Sequence, residues 1–339
     1  MNDKKVLIVN TGGTIGMKKT EAGYAPVPGF LAEAISAIGD MKKPEAPRWS
    51  LYEMSPLLDS SDITVREWNS IASVIYENYD EYDGFVILHG TDTMAYTASA
   101  LSFIFDGLDK PVVLTGSQIP LSEIRSDGKD NLVTSLLIAA DGIAREVCLY
   151  FSGKLLRGNR AVKMSADDLV AFDSPNYPHL ADVGIGIKYN YSALGSFGER
   201  SLTIRPFGEV PIGVLKVFPG IQFGLFESIM TEKLSGIVLE TFGAGNIPSN
   251  SGALIPIIKS AFDSGSVIAV CSQCPSGTVY LGAYETSNQL KCAGAVSGRD
   301  MTTEAAVAKL YHLFSIGVSK LDIKRLMEEN LRGELTPVK

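Results

Sequence analysis

The sequence predicts an α/β protein. A larger N-terminal domain on a doubly wound, mainly parallel sheet precedes a smaller C-terminal α/β domain. Three observations carry this. The chain has 339 residues, two domains' worth at roughly 100 to 200 residues each. Apolar residues make up 45% and charged residues 20%, which suits a large packed core and excludes a disordered chain. Short β-rich apolar runs alternate with longer helical stretches, the pattern of a parallel sheet covered by helices.

Taken in order, Lys5 to Asn10 reads as a first strand, apolar throughout and so covered on both faces. A glycine-rich loop and a helix over Gly29 to Ile38 follow. Thr64 to Tyr79 is a helix with Trp68, Ile71, Ile75 and Tyr79 on one stripe. Gly84 to Leu88 is a strand, Met94 to Phe105 a helix, Pro111 to Leu114 a strand, Asp130 to Ala140 a helix and Val147 to Phe151 a strand. These fill a domain over residues 1–188. Over 189–210 the text turns to Tyr, Ser, Gly and charged residues without sustained period, which reads as a linker with room for a hairpin. The second domain, 211–339, resumes with strands at Val214 to Phe218, Ile237 to Leu239 and Val267 to Val270. Helices are expected over Ile221 to Met230, Gly252 to Phe262, Thr303 to Phe314 and Leu321 to Asn330.

Charge and cysteine usage narrow the function. Thirty basic against 38 acidic residues give a net charge of −8, unsuited to neutralising nucleic-acid phosphates. Only four apolar residues, Val6 to Val9, follow the charged start, too few for a secretory signal, and no apolar stretch spans a bilayer. A cytoplasmic protein is expected. Four cysteines make no disulfide framework. Cys271-Ser-Gln-Cys274 has a Cys-x-x-Cys spacing, but no second pair accompanies it and it follows a strand rather than opening a helix. With three scattered histidines, neither a metal nor another cofactor is expected.

In an open α/β sheet, ligands bind beyond the carboxyl ends of the strands. Two loops stand there: Thr11-Gly-Gly-Thr-Ile-Gly16 after the first strand, and His89-Gly-Thr-Asp-Thr-Met94 after Gly84 to Leu88. The first lacks the Gly-Lys-Ser/Thr of a phosphate loop and the Gly-x-Gly-x-x-Gly of a dinucleotide site. Paired glycines flanked by threonines present hydroxyls instead. Alone, each loop has a plain explanation: a tight turn in one case, a helix N-cap at Thr91 or Asp92 in the other. A third segment, Arg157-Gly-Asn-Arg-Ala-Val-Lys163, adds a lysine. A threonine hydroxyl is a weak nucleophile and needs a base, and a lysine serves as one only where its neutral form is accessible.

Together, Thr11 to Gly16, Gly84 to Met94 and Arg157 to Lys163 resemble the bacterial-type L-asparaginases, and the resemblance runs to the closing Asn330-Leu-Arg-Gly-Glu-Leu-Thr-Pro337. It is closest to the cytoplasmic type I branch, through the missing signal peptide, Asp59-Ser-Ser-Asp62 and Gly116-Ser-Gln-Ile-Pro120. The resemblance implies that Thr14 is the nucleophile attacking the side-chain amide of asparagine, giving an acyl-threonine ester and ammonia. Tyr24, on a lid over Gly16 to Pro28, would assist it. Thr91, Asp92 and Lys163 match a second triad: Lys163 takes a proton through Thr91, whose hydroxyl activates water, and Asp92 holds the substrate ammonium. Asp59, Ser60 and Ser61 match the loop that holds the α-carboxylate, and the Ser117 carbonyl the acceptor for the substrate amide. The backbone N–H of Thr91 matches an oxyanion donor.

The resemblance also implies asparagine preferred over glutamine and a homodimer or homotetramer, with no nucleic-acid or membrane partner. Some type I enzymes bind effector asparagine through an arginine where this chain has Glu240. Ser272, Gln273 and Cys274 match that site, but an acid would repel a carboxylate, so sigmoidal activation is not expected. The rival expectations are a non-catalytic amino-acid sensor, which would have lost Thr14, Thr91 or Lys163, and an asparaginase-like amidotransferase subunit, which carries an extra N-terminal domain.

Overall fold

The computed structural model describes residues 3–21, 23–27, 29–195, 201–248 and 254–337. Ala22 and Pro28 of the expected lid, 196–200 of the expected linker and the first two residues of the helix expected from Gly252 lie outside them. The chain divides into two compact units, Met1–Ile204 and Arg205–Lys339.

The first unit opens with β1 (Lys5–Gly12), a short hairpin of β2 (Met17–Thr20) and β3 (Gly23–Pro26), and α1 (Phe30–Ala37). It continues through β4 (Arg48–Leu58), α2 (Val65–Glu77), β5 (Gly84–Leu88), α3 (Met94–Ile104), β6 (Phe105–Asp106), β7 (Val112–Thr115), α4 (Gly128–Asp141), β8 (Val147–Phe151) and β9 (Lys154–Arg157). The strands β10 (Val162–Lys163), β11 (Phe172–Asp173), β12 (Ala181–Val183), β13 (Ile187–Tyr189) and β14 (Thr203–Ile204) complete it. The main sheet has the order β13-β12-β9-β8-β7-β5-β1-β4. From β8 to β4 every neighbouring pair is parallel, whereas β9, β12 and β13 are antiparallel additions.

Successive strand residues face opposite sides, and both sides here are covered. Val6, Ile8, Val86, Leu88 and Val113 share a core with Leu31 and Ile35 of α1 and Leu132 and Leu136 of α4. Helix α3 packs on β7 and β8, and α2 packs on α3. Double coverage explains why β1, β5, β7 and β8 are almost wholly buried and read as continuous apolar runs. Helix α2 starts where its capping box dictates: Thr64 Oγ1 accepts from Arg66 N at 3.2 Å while Glu67 accepts from Thr64 N at 2.8 Å.

The second unit is a four-stranded parallel sheet in the order β15 (Ile212–Lys216), β16 (Gly236–Thr241), β17 (Val267–Ser272), β18 (Val296–Ser297). It also contains α5 (Leu254–Asp263), α6 (Glu285–Cys292), α7 (Thr303–Ser315) and α8 (Lys320–Met327). Lys309 and Glu334 form a fully buried ion pair at 2.6 Å, which ties α7 to the closing segment.

Several expectations need correction. Ile221 to Met230 is not an α-helix: Gly220 takes φ 87°, and only a 3₁₀ turn at Phe223–Phe226 and a π turn at Ile229–Lys233 form. Strand β4 went unread because it is an edge strand, alternating between half-buried and exposed residues and carrying Pro56, which an edge tolerates. Helix α6 is largely polar and gave no apolar stripe. Residues placed in a linker include β14, which pairs with β6, and Ala193, whose carbonyl accepts from Tyr177 and Arg157. Among the described residues no helix is long and apolar enough to cross a membrane.

Candidate active site

Because β4, β1, β5 and β7 are parallel neighbours, the loops that follow them emerge on one edge of the sheet. The loops touch. Gly13, at φ 86°, approaches the next loop so closely that a Cβ there would stand under 3.0 Å from the backbone N and Cα of Gly90. A Cβ on Gly90 would likewise stand under 3.0 Å from Ser60 Oγ. Only glycine permits either approach. Leu121 N donates to Ile15 O at 3.2 Å, which joins the loop after β7 to the first.

Thr14 opens the one-turn 3₁₀ helix Thr14–Gly16 and is half-buried. Thr91 is buried, and its hydroxyl lies 2.9 Å from Lys163 Nζ. The same ammonium meets Asp92 Oδ1 at 2.6 Å. Lys163 reaches this edge from the β10–β11 hairpin, and its side chain is only 18% exposed, whereas that of Asp92 is 70% exposed. The geometry thus gathers a buried hydroxyl, an amine shielded from bulk water and an open carboxylate that can take a ligand cation.

Ser60 is buried against the Thr91 loop, and its carbonyl accepts from Thr93 Oγ1 at 2.6 Å. Asp59 behaves otherwise: its Oδ1 accepts from both the backbone N–H and the hydroxyl of Ser61, each at 3.0 Å. Both donors expected to reach a substrate carboxylate from Ser61 are therefore engaged, and Ser60 is the member of the trio that faces the second threonine loop. Ser117 is buried, its hydroxyl has no partner, and the neighbouring Gly116 carbonyl is taken by Asn131 Nδ2 at 3.0 Å. Tyr24 sits on β3, which packs against the Thr14 turn. The residue is 49% exposed and stands beside the Glu123 carboxylate.

Sequence reasoning missed two residues. His89 is fully buried, and burial lowers its pKa to about 4, so the ring is neutral near pH 7. Trp68 Nε1 donates to Thr97 Oγ1 at 3.0 Å, that hydroxyl bonds His89 Nε2 at 2.9 Å, and Nδ1–H is left to donate to Gly90 O at 2.7 Å. This chain of hydrogen bonds fixes the carbonyl just before Thr91. Gln118 bonds Thr91 Oγ1 directly at 3.1 Å. It stands in the quoted Gly116 to Pro120 segment, where no spacing rule marks its side chain.

The remaining predicted residues lie in the second unit. Glu240, next to last in β16, accepts from Thr303 Oγ1 at 2.6 Å. Gln273 donates to the carbonyls of Val217 and Glu240, and Ser272 Oγ accepts from Cys274 N at 3.0 Å. Burial pushes the Cys271 thiol up to about 12. Cys274 is exposed and both thiols are free. No His, Cys, Asp and Glu cluster suited to a metal occurs among the described residues.

The chain belongs to the asparaginase family. Residues 5–194 match the family described as "Asparaginase, N-terminal", and residues 211–327 match "Glutaminase/Asparaginase C-terminal domain". The chain is 45% identical to L-asparaginase 1 of Escherichia coli K12 over 337 residues, covering 99% of each. The crystal structure of L-asparaginase I from Vibrio cholerae superposes with a TM-score of 0.91 at 43% identity, over 99% of this chain and all of that one. The thermostable L-asparaginase from Thermococcus kodakarensis gives 0.89 at 32% identity, over 98% of this chain and all of that one.

Proposed function

We propose that this protein is an L-asparaginase that converts L-asparagine and water to L-aspartate and ammonia through an ester on Thr14. The observation that carries the reading is the Lys163–Thr91 bond of 2.9 Å on the sheet edge that also presents Thr14. Thr14 Oγ attacks the side-chain amide carbon, its proton leaves with the departing nitrogen, and ammonia is released. Water then adds to the ester carbon, the bond to Thr14 Oγ breaks and the threonine regains its proton. Thr91 and Lys163 serve the water, and Asp92, exposed beside the amine, holds the substrate ammonium. Ser60 faces the α-carboxylate, the Ser117 carbonyl receives the substrate amide, and Tyr24 closes over Thr14 from the hairpin.

Glutamine is one methylene longer, a difference worth roughly 1 to 3 kcal/mol, so glutaminase activity is weak. Action in the cytoplasm as a homodimer or homotetramer belongs to the same reading, and sedimentation tests the assembly. The decisive assay is ammonia release from asparagine and glutamine by wild type, Thr14→Ala and Thr91→Ala. Both variants should be nearly inactive. A Thr14→Ala protein at the wild-type rate would remove Thr14 as nucleophile.

A further inference from the structure

Gln118 is locked on every side. Its backbone N–H donates to both oxygens of Asp127 at 3.1 and 3.0 Å, and Asp127 also accepts from Ile119 N and Asn131 Nδ2. Its Nε2 lies 3.2 Å from Ala166 O and 3.1 Å from Asp168 O. Backbone carbonyls only accept, so the NH₂ end of the amide must face them and Oε1 must face Thr91. An amide oxygen only accepts as well, so the Thr91 hydroxyl donates its single proton to Gln118 across 3.1 Å. Lys163, ion-paired with Asp92, donates to the same hydroxyl oxygen. One lone pair on Thr91 Oγ1 is left, with no proton to offer.

We infer that Gln118 is a positioning residue: it draws the Thr91 proton away from the reaction site, so that Thr91 can meet the hydrolytic water only as an acceptor. The inference rests on the assignment of Thr91 to the deacylating water. A water that donates to Thr91 keeps a lone pair of its own for the ester carbon. Without the amide oxygen, the Thr91 hydroxyl can rotate and donate to the water, which draws electron density from the attacking oxygen and leaves the water's own proton without this acceptor. Acylation of Thr14 releases ammonia before this water is needed, so loss of Gln118 should slow deacylation alone.

The competing explanation is structural, because the same amide also holds the 166–168 segment just beyond Lys163. Two variants separate them. Gln118→Met loses both functions. Gln118→Glu keeps an acceptor for Thr91 but cannot donate to the two carbonyls. Ammonia release is followed from the first turnover on the intact protein. Gln118→Met should show a burst of about one ammonia per site and then a steady rate about tenfold slower, the scale of one lost hydrogen bond. KM for asparagine should fall in proportion, leaving kcat/KM unchanged. Gln118→Glu should keep the wild-type time course of ammonia release from the first turnover and a kcat within about threefold of wild type. The inference is overturned if Gln118→Met keeps the wild-type kcat, if it loses kcat/KM without a burst, or if Gln118→Glu is slowed as much as Gln118→Met. Thr91→Ala is the control, expected to show the same burst with deeper slowing. Were Thr91→Ala to turn over at the wild-type rate, the site assignment itself would fail, and this inference with it.

Discussion

Both units present polar side chains at the carboxyl ends of a parallel sheet, yet the two edges differ in what those side chains have left to offer. At the second edge the groups satisfy one another. Glu240 is held by Thr303, Gln273 by two carbonyls, and Cys271 is buried with its thiol raised. Glu304 is also pushed toward its neutral form, by burial first and by Glu240 after it. At the first edge capacity remains: an exposed carboxylate on Asp92, a spare lone pair on Thr91 and a buried Ser117 hydroxyl without a partner. Unsatisfied buried polar groups cost stability. The open carboxylate, lone pair and hydroxyl on the first edge mark where a ligand completes the bonding, and the position of an edge alone does not.

The comparison can be broken most forcefully at Lys163. Lys163→Met removes the ammonium that holds the Thr91 hydroxyl and pairs with Asp92; it should lower kcat on the order of a thousandfold, as the loss of a charged group aimed at the reacting atoms does, with thermal stability little changed. A variant of normal activity would equate the two edges. The second unit should respond in the opposite manner. Glu334→Gln leaves Lys309 buried without its counter-charge and should cost about 4 kcal/mol of stability, read by urea unfolding, while the folded fraction keeps its kcat.

Acid should distinguish the two units as well. The folded pKa of His89, about 4, lies below the ordinary value near 6.5, so the unfolded chain binds the extra proton. The stability from keeping this ring neutral is complete above about pH 6.5 and is lost as pH falls toward 4, about 3 kcal/mol in all. Unfolding measured across that window should have a shallower acid slope for His89→Gln than for wild type. Gly13→Ala should lower kcat/KM about a hundredfold, because a methyl group there forces the two threonine loops apart and displacements of an ångström are felt on that scale. The smallest effect is expected at Glu240, where velocity against asparagine should be hyperbolic. A sigmoidal curve abolished by changing Ser272 or Cys274 would show that the second edge binds an effector after all.

The parts of this molecule legible in the sequence are those whose physics is local. Strands β1, β5 and β8 are buried on both faces and announce themselves as apolar runs, and α2 carries its own cap. The pairing of the Thr11–Gly16 and His89–Met94 loops with Lys163 came from motif resemblance, because no local rule brings residues 14, 91 and 163 together. What stayed hidden depends on partners distant in the chain. Strand β4 owes its place to β1, and His89 is neutral because the fold buries it, with Thr97 from α3 on its Nε2. The role of Gln118 exists only where Ala166, Asp168 and Thr91 converge on one amide.

The central claim is that the two threonine loops form one site with separate duties, Thr14 for the acyl bond and Thr91 with Lys163 for its hydrolysis. It is tested most directly by quenching Lys163→Met during turnover of asparagine and mapping the adduct by peptide mass spectrometry. An aspartyl ester should accumulate on the peptide that contains Thr14. Ammonia released with no adduct there, or an adduct on another residue, would contradict the account.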